Sequence, residues 1–417
     1  MALRSRERVV VTGMGVVTPL GGDLASTWES LVNGVSGAAL ITLFDTTQFA
    51  VHFACEVKNW APERFIEKKK LKEMDRFTQF ALAAAKMAIA DAGLELSEKE
   101  EERAGCFLGV GLGGLSALET AKEVLLEKGP SRMSPYTIPR IIGNIAAGHV
   151  SIIHRLRGPS FATTSACATG AHAIGEAAEW IRRGQADVMV AGGAEATITP
   201  IGIGGFQAMH ALSRRNDAPA RASRPFDRDR DGFVCGEGSG VLVLESLTRA
   251  RGRGARILAE LTGYGASSDA FHLTAPAPEG EGCQRAMKMA LADAELDPTA
   301  IDYLNAHATS TEAGDKAECD GILRVFAHHA SDRRLAVSST KSMTGHLLGA
   351  AGAIEAVFSI SAILKGLLPP TINVESQDPA CPIDVIPNEA RRRTVNHVMS
   401  NGFGFGGTNA SLVFSRV

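Results

Sequence analysis

Residues 161–184 read FATTSACATGAHAIGEAAEWIRRG, and residues 337–366 read VSSTKSMTGHLLGAAGAIEAVFSISAILKG. Each stretch opens with a short strand, passes through Ser and Thr residues into a small-residue helix start, and ends in Gly. The same features in the same order at a long interval indicate an internal duplication. Apolar strand runs and helical patterns alternate on both sides of each copy. Ahead of the first, RVVVTGMGVVTP (8–19) reads as a buried strand ending in a glycine turn, and 77–94 as a helix. CFLGVGLG (106–113) reads as a strand, with a helix from about Ala117. Strands are expected again at 186–195 and 238–247, and RILAELTGYGASSDA (256–270) restarts the pattern with a strand and glycine turn. Continuous apolar strands between helices predict an α/β fold whose sheets are covered on both faces. The boundary falls near Arg251–Arg256, giving an N-terminal half, 1–254, and a C-terminal half, 255–417. No low-complexity linker separates them, so one compact body is expected.

The chain has 417 residues, 45% hydrophobic and 21% charged, with a formal net charge of −3. Nothing in that balance draws the protein as a whole toward nucleic acid or an acidic membrane, so an anionic partner must meet a local patch. Seven cysteines without CxxC or metal-ligand spacing argue against a disulfide framework or structural zinc. The basic N-terminus lacks a signal-peptide apolar core, and no run of 18 apolar residues is evident, so a cytoplasmic protein that spans no membrane is expected.

Cys167 stands in TTSACATG (163–170), just before a helical run. A strand-to-helix turn would set its sulfur at the positive end of a helix dipole, where unpaired N–H groups stabilise a thiolate or an oxyanion. The alternative is a buried structural cysteine. Cys235 also sits among glycines, but strand residues follow it. Two of the eleven histidines stand out. His307 follows the apolar run IDYLNA, at a strand end where α/β proteins place chemistry. His346 closes KSMTGH (341–346), the counterpart in the second repeat of the Cys167 segment. A twofold relation between the halves would bring them together, and a Cys beside His residues is an arrangement for covalent catalysis. Two tempting motifs fail. The glycines at 13 and 15 lack the third of a dinucleotide fingerprint, and DRDRDG (227–232) reaches Gly238 where a calcium loop needs Glu.

At TSACATGAH, VMVAGGAE, SRPFDRDRDGFVCGEGSG, NAHATST, SSTKSMTGHLLGAAGA and SNGFGFGGTN the chain resembles the β-ketoacyl synthases, the condensing-enzyme branch of the thiolase-like family. The resemblance runs from residue 10 to residue 414. It implies a thiolase-like five-layer αβαβα sandwich from two duplicated halves, a homodimer, and decarboxylative condensation of an acyl thioester with malonyl-acyl-carrier protein in fatty-acid elongation. By the same resemblance Cys167 is the acylated nucleophile, His307 and His346 its paired histidines, and Lys341 their electrostatic support. Glu318 organises that network. Phe405 is the gate, and its N–H joins that of Cys167 as the oxyanion hole. Leu112 and Phe206 line the acyl pocket, and Lys69, Lys72 and Arg132 face the acidic carrier protein. No cofactor is required, but a structural Na+ or K+ is implied at Asn305, Glu355, Ser400 and Asn401. The chain departs from the usual pattern at Ala308, commonly Gly, at Glu312, commonly Pro, and at His210, commonly an Arg that contacts the pantetheine phosphate. The rivals are a polyketide-type or specialised-lipid ketosynthase, a thiolase, which needs a second cysteine that SNGFGFGGTN lacks, and a non-catalytic chain-length subunit, which would lack Cys167.

Overall fold

A computed structural model describes residues 6–417. Among these residues ten strands follow one another edge to edge. From the middle outward on one side they are Val9–Val17, Gly238–Ser246, Val188–Glu195, Ala104–Gly109 and Ser160–Phe161. On the other side they are Ala259–Ser268, Thr408–Ser415, His397–Gly404, Tyr303–Asn305 and Ala336–Ser338. Counted along its own half, each side has the order 1-5-4-2-3. The two sides meet only through Val10 opposite Glu260 and Val11 opposite Ala259.

Helices Thr169–Arg182 and Ala351–Lys365 touch each other and strands of both halves, so they form the middle layer. Their Ala- and Gly-rich faces allow this. A Cβ on Gly170 would lie 2.8 Å from the backbone nitrogen of Ala353, closer than real Cβ atoms come. Helices Arg76–Ala92 and Ile145–His154 cover the outside of the first sheet half, and Glu281–Asp293 and Glu312–Phe326 the outside of the second. The result is five layers, α/β/α/β/α.

Three expectations need correction. The glycines of 8–19 do not form a turn, because Gly13 and Gly15 lie inside the strand Val9–Val17. A Cβ on either would fall within 2.2 Å of a carbonyl of helix Arg76–Ala92, so glycine there permits close helix-to-strand approach. The strand expected at 106–113 stops at Gly109, and the following backbone turns away to donate hydrogen bonds to Glu195. One helical run, Leu348–Lys365, is long and apolar enough to cross a membrane, contrary to the expectation of none. It is 89% buried between the two sheet halves, the position of a core helix.

Candidate active site

The segment before Cys167 is held in a sharp bend. Ala166 has φ +49, a left-handed conformation that disfavours a side chain. Four hydroxyls hold it. Thr163 donates to Thr169 O at 3.2 Å, Thr164 to Val110 O at 2.8 Å, and Thr408 to Ser165 O at 2.9 Å, while Thr169 Oγ1 accepts from Ser165 N at 2.7 Å. The bend delivers Cys167 to the start of helix Thr169–Arg182. Its sulfur and a ring nitrogen of each of His307 and His346 all lie within 4.8 Å of one another. The two imidazoles meet edge to face, 5.3 Å between centroids.

Each histidine is fixed through its backbone. Glu318 accepts from His307 N at 2.9 Å, Ala308 N at 2.7 Å and Asn401 Nδ2 at 3.0 Å. His346 pairs with the Cys235 segment, donating to Val234 O at 2.7 Å and accepting from Gly236 N at 2.9 Å. The rings themselves are left free: His307 Nδ1 and both ring nitrogens of His346 are buried with no partner in the protein.

Lys341 is buried beneath these groups in an ion pair with Glu355. Burial lowers the pKa of both histidines well below the usual value, and the Lys341 charge adds to this, so both are neutral imidazoles at physiological pH. Cys167 corrects an expectation. A helix N-terminus suggested a depressed thiol pKa, yet burial dominates and pushes it up to about 12. The Lys341 charge and a hydrogen bond from Phe405 N–H pull the other way. At neutral pH the group is a thiol beside a backbone donor.

Cys167, His307, His346, Glu318, Leu112, Phe206 and Phe405 all border one cavity of about 590 Å³. Lys341 is not among its lining residues. Asn305 and Ser400 sit opposite each other on neighbouring strands, and Asn401 follows. Asn305 Oδ1 and Glu355 Oε2 are buried acceptors without partners, and Lys341 offsets the Glu355 charge. Lys69, Lys72 and Arg132 are exposed. The Lys72 ammonium lies 5.7 Å from the Tyr136 ring, so the segments carrying these cations adjoin.

Sequence reasoning missed Glu195. It is fully buried at the end of its strand, borders the cavity, and accepts from Gly111 N at 3.0 Å, Leu112 N at 3.2 Å and Gly349 N at 3.0 Å. Burial pushes its carboxyl up to about 7, while these N–H donors pull it down. It ties the Leu112 loop of the first half to the turn after His346. Its place in VMVAGGAE gave one signal, an acid at the end of an apolar strand.

A five-layer duplicated fold with a cysteine and two neutral imidazoles at the base of one cavity defines a thiolase-like protein built for covalent acyl chemistry. Family profiles described as "Beta-ketoacyl synthase, N-terminal domain" and "Beta-ketoacyl synthase, C-terminal domain" match residues 6–250 and 258–375. The chain belongs to the β-ketoacyl synthase family. It is 49% identical over 414 residues to the 3-oxoacyl-[acyl-carrier-protein] synthase 2 of Staphylococcus aureus strain COL, covering 99% of each chain. A β-ketoacyl synthase structure from Burkholderia phymatum STM815 superposes with TM-score 0.91 at 38% identity, covering 99% of this chain and 100% of that one. A type II polyketide acyl-carrier protein in complex with its ketosynthase (AntDE:AntF) gives TM-score 0.91 at 34% identity, with the same coverage.

Proposed function

We propose that this protein is a 3-oxoacyl-[acyl-carrier-protein] synthase of type II, acting in fatty-acid elongation through an acyl-Cys167 intermediate. The observation that carries the assignment of roles is the convergence of Cys167, His307 and His346 within 4.8 Å at one cavity. Full-length likeness to curated synthases at 49% identity supports the pathway.

Cys167 sulfur attacks the thioester carbonyl of an acyl-carrier protein. The oxyanion forms against the N–H groups of Cys167 and Phe405, an arrangement in which one donor is worth about 3–4 kcal/mol in other enzymes. The C–S bond to the carrier breaks, and the carrier thiol leaves with the proton lost by Cys167. Malonyl-carrier protein enters next. Its carboxylate departs as CO2, and His307 and His346 donate hydrogen bonds to the thioester oxygen as it becomes an enolate. Neutral imidazoles suit this task because each carries one N–H and brings no counter-charge into the dry pocket. The enolate carbon then attacks acyl-Cys167, and the released sulfur takes a proton. The product is a 3-ketoacyl thioester two carbons longer. The reaction is redox-neutral and draws its driving force from decarboxylation, so no organic cofactor is required.

Three further assignments belong to this reading. Lys69, Lys72 and Arg132 receive the acidic carrier protein. Asn305, Glu355, Ser400 and Asn401 hold a structural monovalent cation, with Asn305 Oδ1 and Glu355 Oε2 as its free ligands. A second copy of the chain covers the apolar surface of the first half, giving a homodimer.

The test is intact-mass spectrometry of wild type and Cys167→Ala with a C6–C16 series of acyl-carrier proteins and malonyl-carrier protein. An adduct on wild type alone, followed by a 3-keto product two carbons longer, is expected. An adduct without elongation moves the assignment to a specialised or polyketide-type donor, and no adduct removes Cys167 as the nucleophile.

A further inference from the structure

His172 has no distinguishing context in the sequence, yet its ring reaches the bend that carries the nucleophile. Ser165 Oγ lies 2.7 Å from His172 Nδ1. The backbone of Asn409 lies close enough to the same imidazole to favour its protonated form. The tautomer with its proton on Nε2 leaves Nδ1 free to accept. Nδ1 is then a lone-pair acceptor, and the Ser165 hydroxyl is its donor. Tyr264 packs edge to face on the ring, 6.3 Å between centroids, and limits its rotation.

Ser165 is the residue from which the strained backbone departs: it precedes Ala166, at φ +49, and Cys167. Its own backbone is held on both sides, N by Thr169 and O by Thr408. Thr408 and Asn409 follow the 405–407 turn that carries the Phe405 N–H. The imidazole therefore lies between the Cys167 bend, which it bonds, and the strand Thr408–Ser415, and these two bring the expected oxyanion donors from separate halves of the chain.

The geometry points to His172 as a positioning residue for acyl transfer: through Ser165 and Asn409 it fixes the Cys167 sulfur and N–H relative to the Phe405 N–H. It is not among the residues that line the cavity. The inference rests on the reading of Cys167 as the acyl acceptor. It separates two parts of the reaction. Attack and oxyanion binding depend on the bend, whereas enolate formation depends on His307 and His346, which are anchored through Glu318 and the Cys235 segment.

Three variants test it: His172→Phe keeps the ring's bulk and removes the bond to Ser165, His172→Asn keeps an acceptor near the place of Nδ1, and Ser165→Ala removes the donor. Two rates are measured on folded protein: acylation of Cys167 by acyl-carrier protein, and CO2 release from malonyl-carrier protein without an acyl donor. His172→Phe and Ser165→Ala should each slow acylation about tenfold and leave CO2 release within about twofold, since small misplacements of reacting groups act on the step they serve. The double variant should lose no more than either single one, and His172→Asn should recover most of the rate. Wild-type acylation in His172→Phe, equal loss of both rates, or no recovery with Asn would overturn the inference. Should the Phe variant fail to fold, Ser165→Ala decides alone, and an unchanged acylation rate refutes it. Absence of any adduct on wild type would instead sink the nucleophile reading itself.

Discussion

Burial, rather than a permanent thiolate, governs Cys167. A thiol pushed up to about 12 gains thiolate roughly tenfold per pH unit across the neutral and mildly alkaline range. Alkylation of Cys167 by iodoacetamide should therefore rise steadily from pH 7 to about pH 10 without a plateau. A plateau near neutrality would mean a thiolate paired with an imidazolium, which the lowered histidine pKa values oppose. The Lys341–Glu355 pair makes a second residue-level prediction. Both groups are almost fully buried, so removing one strands the other. Lys341→Ala should cost about 3–5 kcal/mol in denaturant unfolding, and replacing both partners with apolar residues of similar size should cost less. Equal losses for the single and double variants would show that packing, not charge, sets the cost.

At the scale of elements, the fold rests on small residues where backbones approach. Gly15→Ala would place a Cβ 2.0 Å from Ala84 O, so the strand or helix Arg76–Ala92 must shift. A loss of about 1–3 kcal/mol or more is expected by equilibrium unfolding, and a neutral result would mean that the helix moves freely. These glycines also explain what the sequence made legible. The repeats at 161–184 and 337–366 were readable because local order survives duplication, and they became the two helices of the middle layer. The role of Gly13 and Gly15 was not, since a glycine in a strand looks like a turn until the helix above it is placed. Cys167, His307 and His346 each stood at a strand end or helix start, which periodicity can locate. Glu195 also ends its strand and His172 lies in the first turn of its helix, yet their roles were not legible, because those depend on the fold. Glu195 binds backbone 84 and 154 residues away. The bond from His172 to Ser165 is close in sequence, but it gains its meaning from the strand Thr408–Ser415, which only the fold brings near.

The whole molecule presents one end of the strand order to solvent at Ser160–Phe161, next to the helix that carries exposed Ile152, and Leu118, Leu125, Leu126 and Ile138 are exposed on the same half. An open strand edge and exposed apolar side chains on the same half call for a partner. A second copy can pair the edge and bury these side chains by an isologous contact. Analytical ultracentrifugation should give a dimer, and Leu126→Asp with Ile152→Asp should give a monomer; a monomeric wild type would remove the dimer from the proposal. The proposed carrier surface differs in kind, because it is charged. Lys69 and Lys72 lie on one exposed turn, Lys68–Glu73, next to the segment bearing Arg132 and Tyr136. With a net charge of −3 the protein as a whole does not attract an acidic carrier, so the proposed docking rests on these local cations. Lys69→Glu with Lys72→Glu should raise KM for acyl-carrier protein about tenfold, steepen with falling salt, and leave kcat nearly unchanged. Turnover of the same acyl group on free pantetheine should not change, because that substrate reaches Cys167 without touching the turn. An equal loss with both substrates would place the effect in the active-site cavity and remove docking from this surface.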